Sequence, residues 1–124
     1  MNVITQIFAI IAGLVHVWAF VMESLLFRYP RVQRIFLGHD GVPPDVFMWA
    51  FNQGFYNLFL AAGAIGGVIA ADAGHATAGR AVALFACACM VGAGIVLVVS
   101  DRKLWRGALG QAVPPLVALL AALA

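Results

Sequence analysis

The sequence predicts an all-α fold, an integral membrane four-helix bundle, and three observations lead there. Of its 124 residues, 65% are hydrophobic and only 10% charged, against about 25% charged in a soluble domain. The apolar residues fall into four runs, roughly 3–27, 46–71, 80–100 and 105–123, each near the ~20 residues that cross a bilayer core. Turn-forming and charged residues collect between the runs. The spans use almost the whole chain, so residues 1–124 read as a single transmembrane domain with no soluble one beside it. The basic residues sit at span ends, not in a groove-sized patch, which argues against nucleic acid as a partner.

The first run contains His16 and Glu23 among otherwise apolar residues. An ionisable group inside a span costs roughly 2.5–3.5 kcal/mol on insertion scales, so its default reading is functional. Seven residues are close to two helical turns, which places both side chains on one face. Thr5, Ala9, Ala12 and Ala19 complete a stripe of small and polar residues with them. That stripe is expected to face protein or water. No basic residue precedes Arg28, and the apolar run is longer than a signal-peptide core, so this span is expected to stay in the mature protein.

The connection over residues 28–45 is the longest. Arg28, Arg31 and Arg34 recur every three residues, with Val32, Ile35 and Phe36 opposite. A short amphipathic helix at the membrane surface fits this pattern. A loop whose arginines only set topology or meet lipid phosphates fits it as well. Pro30, Gly38, Gly41, Pro43 and Pro44 punctuate the segment, and Asp45 is the candidate N-cap of the second span.

The second span opens Asn52-Gln53-Gly54-Phe55-Tyr56-Asn57. Leucine at any of these polar positions would sit more comfortably in hydrocarbon, so the amides either bond across helices or hold a ligand. Further along, Gly63 and Gly67 form a G-x-x-x-G pair, and Ala62 and Gly66 a second small pair. Such pairs let backbones approach closely, within the chain by default or between copies of a homodimer. Asp72, Gly74, Thr77 and Gly79 mark the second connection. In the third span Cys87 and Cys89 point to nearly opposite sides of the helix, which suits packing better than a metal or redox site. Ser100-Asp101-Arg102-Lys103 marks the last turn. In the fourth span Gln111 precedes Pro114 and Pro115, whose missing N–H groups free the carbonyls of Gly110 and Gln111.

Charge orients the bundle. The first connection carries Arg28, Arg31 and Arg34, the third carries Arg102, Lys103 and Arg106, and the second only Arg80. The positive-inside rule then puts connections one and three in the cytoplasm and both termini on the non-cytoplasmic side of a plasma or bacterial inner membrane.

At 1.5 Å per residue, Glu23, Asn52, Gln53 and Gln111 fall at similar depths near the cytoplasmic side, with His16 and Asn57 closer to the midplane. The expectation is one polar cavity lined by His16, Glu23, Asn52, Gln53, Tyr56, Asn57 and Gln111. Taken singly, Asn57 or Gln111 reads better as interhelical glue, Tyr56 as a packed aromatic and His16 as a ring satisfied by a carbonyl. No spacing suggests a metal, and no motif suggests a cofactor, a nucleophile or a phosphate loop.

The string Asn52-Gln53-Gly54-x-Tyr56-Asn57, followed by Phe59-Leu60-Ala61-Ala62-Gly63, resembles the signature of a family of small four-span membrane proteins known as domain of unknown function 1304. The His16-to-Glu23 spacing resembles its first helix, and Gln111 before a proline its last. The Pro43-Pro44 start of span two and the paired Pro114-Pro115 depart from that pattern. The resemblance implies a four-helix membrane protein and no particular activity. From the residues themselves, the leading expectation is a protein that binds a small amphiphilic molecule or lipid. A membrane isomerase or hydrolase using His16 and Glu23 as acid and base is the first alternative. A dimeric proton-coupled transporter with Glu23 as the proton site is the second.

Overall fold

The computed structural model describes residues 1–124. It is entirely helical. Helix α1 covers Val3–Phe20 and continues without a break into a π-helical turn, Val21–Leu25. A short helix, α2 (Pro30–Leu37), comes next, and then three long ones: α3 (Pro44–Asp72), α4 (Ala76–Ser100) and α5 (Trp105–Ala121). A 3₁₀ turn, Arg102–Leu104, leads into α5. Four of these elements are long and apolar enough to cross a membrane: Val3–Leu25, Pro44–Asp72, Ala76–Ser100 and Arg102–Ala121.

The long helices form a four-membered ring in which α1 neighbours α3, α3 neighbours α4, α4 neighbours α5, and α5 returns to α1. The core is built from small residues contributed by all four. Ala9, Val68, Ala83, Cys87 and Ala118 make one layer, and Ala12, Ala64, Ala86 and Met90 the next. Small side chains bring the backbones together, so dispersion and close fit replace the water-driven burial that lipid cannot supply. A Cβ at Gly67 would lie 2.6 Å from the Ala83 nitrogen and 2.7 Å from the Gly79 oxygen, and one at Gly63 would lie 3.1 Å from the Ala86 methyl. The G-x-x-x-G pair therefore seats α3 on α4 within one chain. That notch is filled by α4.

Side chains tie the two ends. At the terminal end Asn2 caps α1 through the Thr5 N–H (2.9 Å) and donates to the Ala121 carbonyl (2.7 Å). Gln6 donates to Asp72 (2.9 Å), and Arg80 to the Ala122 carbonyl (2.8 Å). The opposite, basic end carries Arg28, Arg31, Arg34, Arg102, Lys103 and Arg106.

One local expectation changes. Asp45 is not the N-cap of α3: Pro43 holds that position, Pro44 lies in the first turn, and Asp45 sits beside the helix N-terminus, where its charge is favourable. Pro114 and Pro115 do not end the fourth helix. It runs through both, with Pro115 fully buried.

The arginine-rich connection does form a helix. Pro30 starts α2, and Gly38 at φ 77° ends it in a left-handed cap that glycine adopts without strain. Its buried residues are Val32, from the expected face, and Gln33, while Ile35 of that face is 54% exposed. Gln33 donates to the Phe27 carbonyl (2.9 Å) and accepts from the Gly41 N–H (3.1 Å). Phe36 stacks on Trp18 at 5.6 Å, which folds α2 back onto α1, and Arg34 pairs with Asp40.

Candidate functional site

The inward stripe of α1 is the centre of the site. Thr5, Ala9, Ala12, His16 and Glu23 are all buried, and Ala19 is half-buried. His16 is 1% exposed and Glu23 9%. Glu23 lies in the π-helical turn, a geometry that recurs at functional sites because the wider turn re-aims side chains.

Glu23 meets Asn57 of α3, whose Nδ2 donates to Glu23 Oε1 at 3.3 Å. The neighbouring contact explains how the helices come so close. Ser24 Oγ donates to the Phe51 carbonyl at 2.7 Å. Gly54 lies directly against Ser24, where a Cβ would overlap the hydroxyl and come within 3.0 Å of the Ser24 nitrogen. Glycine at this position lets α1 and α3 touch one turn from the Glu23–Asn57 bond.

His16 is fixed differently. Its Nδ1 lies 2.8 Å from the Ala12 carbonyl of its own helix. A carbonyl oxygen only accepts, so Nδ1 carries the proton and the neutral ring presents Nε2 as an acceptor. Three buried side-chain atoms have no hydrogen-bond partner in the protein: Thr5 Oγ1, His16 Nε2 and Glu23 Oε2. All three belong to the same face of α1. Buried polar atoms are nearly always bonded, so each such exception calls for an explanation.

The other expected residues do not converge there. Asn52, Gln53 and Tyr56 lie on the exposed side of α3, Tyr56 at 60%, and Gln111 is half-buried on α5. None of the four forms a side-chain hydrogen bond within the chain. The reason is angular: on α3 the inward arc runs through Gly54, Asn57, Ala61, Ala64 and Val68, and the other polar side chains fall off it. The two best-defined hollows of the outer surface are both apolar. One of about 360 Å³ lies on the α1/α3 seam between Val17, Leu58, Ala61, Ala62, Ile65 and Gly66. The other, of about 150 Å³, lies where α3 meets α4 around Gly67, Ala70, Gly79 and Val82. The expected single polar cavity thus resolves into a small buried carboxyl–amide pair and a separate apolar hollow.

Ser24, Gly54 and the π-helical turn were not legible as site features. A serine beside a glutamate and a glycine among amides have no periodicity that would single them out.

Four membrane-length helices closing on a buried carboxyl, amide and imidazole define a small helical membrane protein with a polar core. The chain belongs to the family described as "Protein of unknown function (DUF1304)", whose profile matches residues 10–123. No curated protein and no solved structure matches it.

Proposed function

We propose that this is an integral membrane protein that binds a small amphiphilic molecule or lipid at the α1/α3 seam, with its head at Glu23 and Asn57. One observation carries the reading: a buried carboxyl in a π-helical turn has one oxygen bonded to Asn57 and the other bonded to nothing in the protein. The positive-inside rule assigns the basic end to the cytoplasm, which puts Glu23 at the level of the cytoplasmic leaflet and both termini on the other side. The apolar hollow begins about one turn nearer the midplane on the same seam, at the depth that a tail from that leaflet reaches.

Binding is favoured over acid–base turnover by spacing. Seven residues separate His16 from Glu23, roughly 10 Å of helix rise, so one small reacting group does not contact both. The test is lipid and metabolite analysis of the purified protein by native mass spectrometry. A co-purifying amphiphile is expected in the wild type and lost in Glu23→Gln and in Asn57→Ala. An unchanged bound species in both variants would refute the assignment of the site.

A further inference from the structure

The hydrogen-bond inventory of the site selects among amphiphiles, a choice that depends on the amphiphile site just proposed. Glu23 Oε2 has no partner in the protein. Asn57 uses Nδ2 on Glu23, which leaves its Oδ1 to accept. With Glu23 ionised, the free groups of this pair are acceptors, apart from one remaining amide hydrogen on Asn57. The chain's one ion pair is Arg34–Asp40, outside the bundle, so no lysine or arginine neutralises Glu23. A buried carboxylate is stable only with a counter-charge and hydrogen bonds. A head bearing only phosphate or carboxylate would bring more acceptors and more negative charge. A trimethylammonium brings charge without N–H groups.

We infer that the Glu23–Asn57 site takes a primary ammonium head attached to an alkyl tail. The ammonium N–H groups match Glu23 Oε2 and Asn57 Oδ1, the charge matches Glu23, and the tail runs along the seam toward the Val17/Ala62/Gly66 hollow. The Phe20 and Phe55 rings meet edge to face at 5.0 Å on the same seam. Neither end of this arrangement alone names a ligand; together they specify a cationic amine with an apolar chain. The ammonium can belong to a free long-chain amine or to a phosphatidylethanolamine head group.

The experiment is a thermal-shift and native mass-spectrometry series on the full chain in phosphatidylcholine nanodiscs, with dodecylamine, dodecyltrimethylammonium, dodecanol and dodecanoate. Dodecylamine should bind and stabilise, with affinity at least about tenfold above the other three. Glu23→Gln should remove that preference. Ala62→Phe, at an exposed position that leaves the core intact, should weaken dodecylamine without lowering the melting temperature of the free protein. Competition by phosphatidylethanolamine would assign the lipid as the source, and its absence a free amine. Equal binding of dodecanol or dodecyltrimethylammonium, still lost in Glu23→Gln, would overturn the ammonium class and leave the amphiphile site standing. Binding of every probe unaffected by Glu23→Gln would overturn both.

Discussion

Glu23 and Asn57 hold each other in place, and the asymmetry of a buried hydrogen bond sets what each substitution does. Asn57→Ala strips Glu23 Oε1 of its only donor as well, and a buried acceptor without a partner costs about 1–3 kcal/mol. A lowered melting temperature in detergent is expected, with Glu23→Gln, Asn57→Ala less destabilised than the sum of the two single changes. Strict additivity in that cycle would mean that the two side chains do not interact. Gly54 makes a second prediction. Gly54→Ala drives a methyl into Ser24 and should cost about 1–3 kcal/mol by overpacking. Ser24→Gly in the same chain removes the obstructing side chain and should recover much of the loss, as chemical denaturation can measure.

Between helices, the adjacent glycines of α3 behave as opposites. Gly67 faces α4 across less than a methyl's width, whereas a Cβ at Gly66 meets nothing within 4 Å. Gly67→Leu is therefore expected to separate α3 from α4 and destabilise by about 1–3 kcal/mol or more, while Gly66→Ala stays within ~0.5 kcal/mol. Similar losses from both would show that α3 is rotated from its position in this structure. The short α2 depends on a single side chain in the same way. Gln33 closes the 28–43 connection from both sides, so Gln33→Ala leaves a buried carbonyl and an N–H without partners. Faster backbone amide exchange confined to α2 and Gly41 is the expected result, with the four long helices unaffected.

As a whole, the molecule has a basic collar at one end and side-chain hydrogen-bond ties at the other. Six cations surround the basic end, with aromatic anchors in Tyr29 and Trp105, each beneath an arginine at 4.9 Å and 5.1 Å. The orientation that this charge distribution implies is open to a direct check. In a background without Cys87 and Cys89, His39→Cys and Lys103→Cys should react with a membrane-impermeant maleimide only after permeabilisation. His75→Cys should react in intact cells. The reverse pattern would invert the protein and place the Glu23 site in the other leaflet.

Legibility in the sequence tracks which quantities are local. Span number and the buried stripe on α1 come from periodicity and composition, since a helix fixes which residues share a face and a bilayer fixes its length. The family resemblance is read from the Asn52–Asn57 string and the His16-to-Glu23 spacing, and the profile match over residues 10–123 shows the membership. The make-up of the polar site is not legible in this way. Asn52, Gln53, Tyr56 and Asn57 are nearly indistinguishable as letters, yet only Asn57 lies on the arc that α1 covers. That arc is set by the rotation of α3, which the Gly54–Ser24 and Gly67–Gly79 contacts determine, and contacts between residues tens of positions apart leave no trace in local pattern. The same holds for the π-helical turn at Glu23 and for the hollow beside Val17. The chain's letters settled that four apolar helices would bury one acid and one imidazole; the packing of neighbours settled which amide meets the acid, because that depends on how the helices turn toward each other.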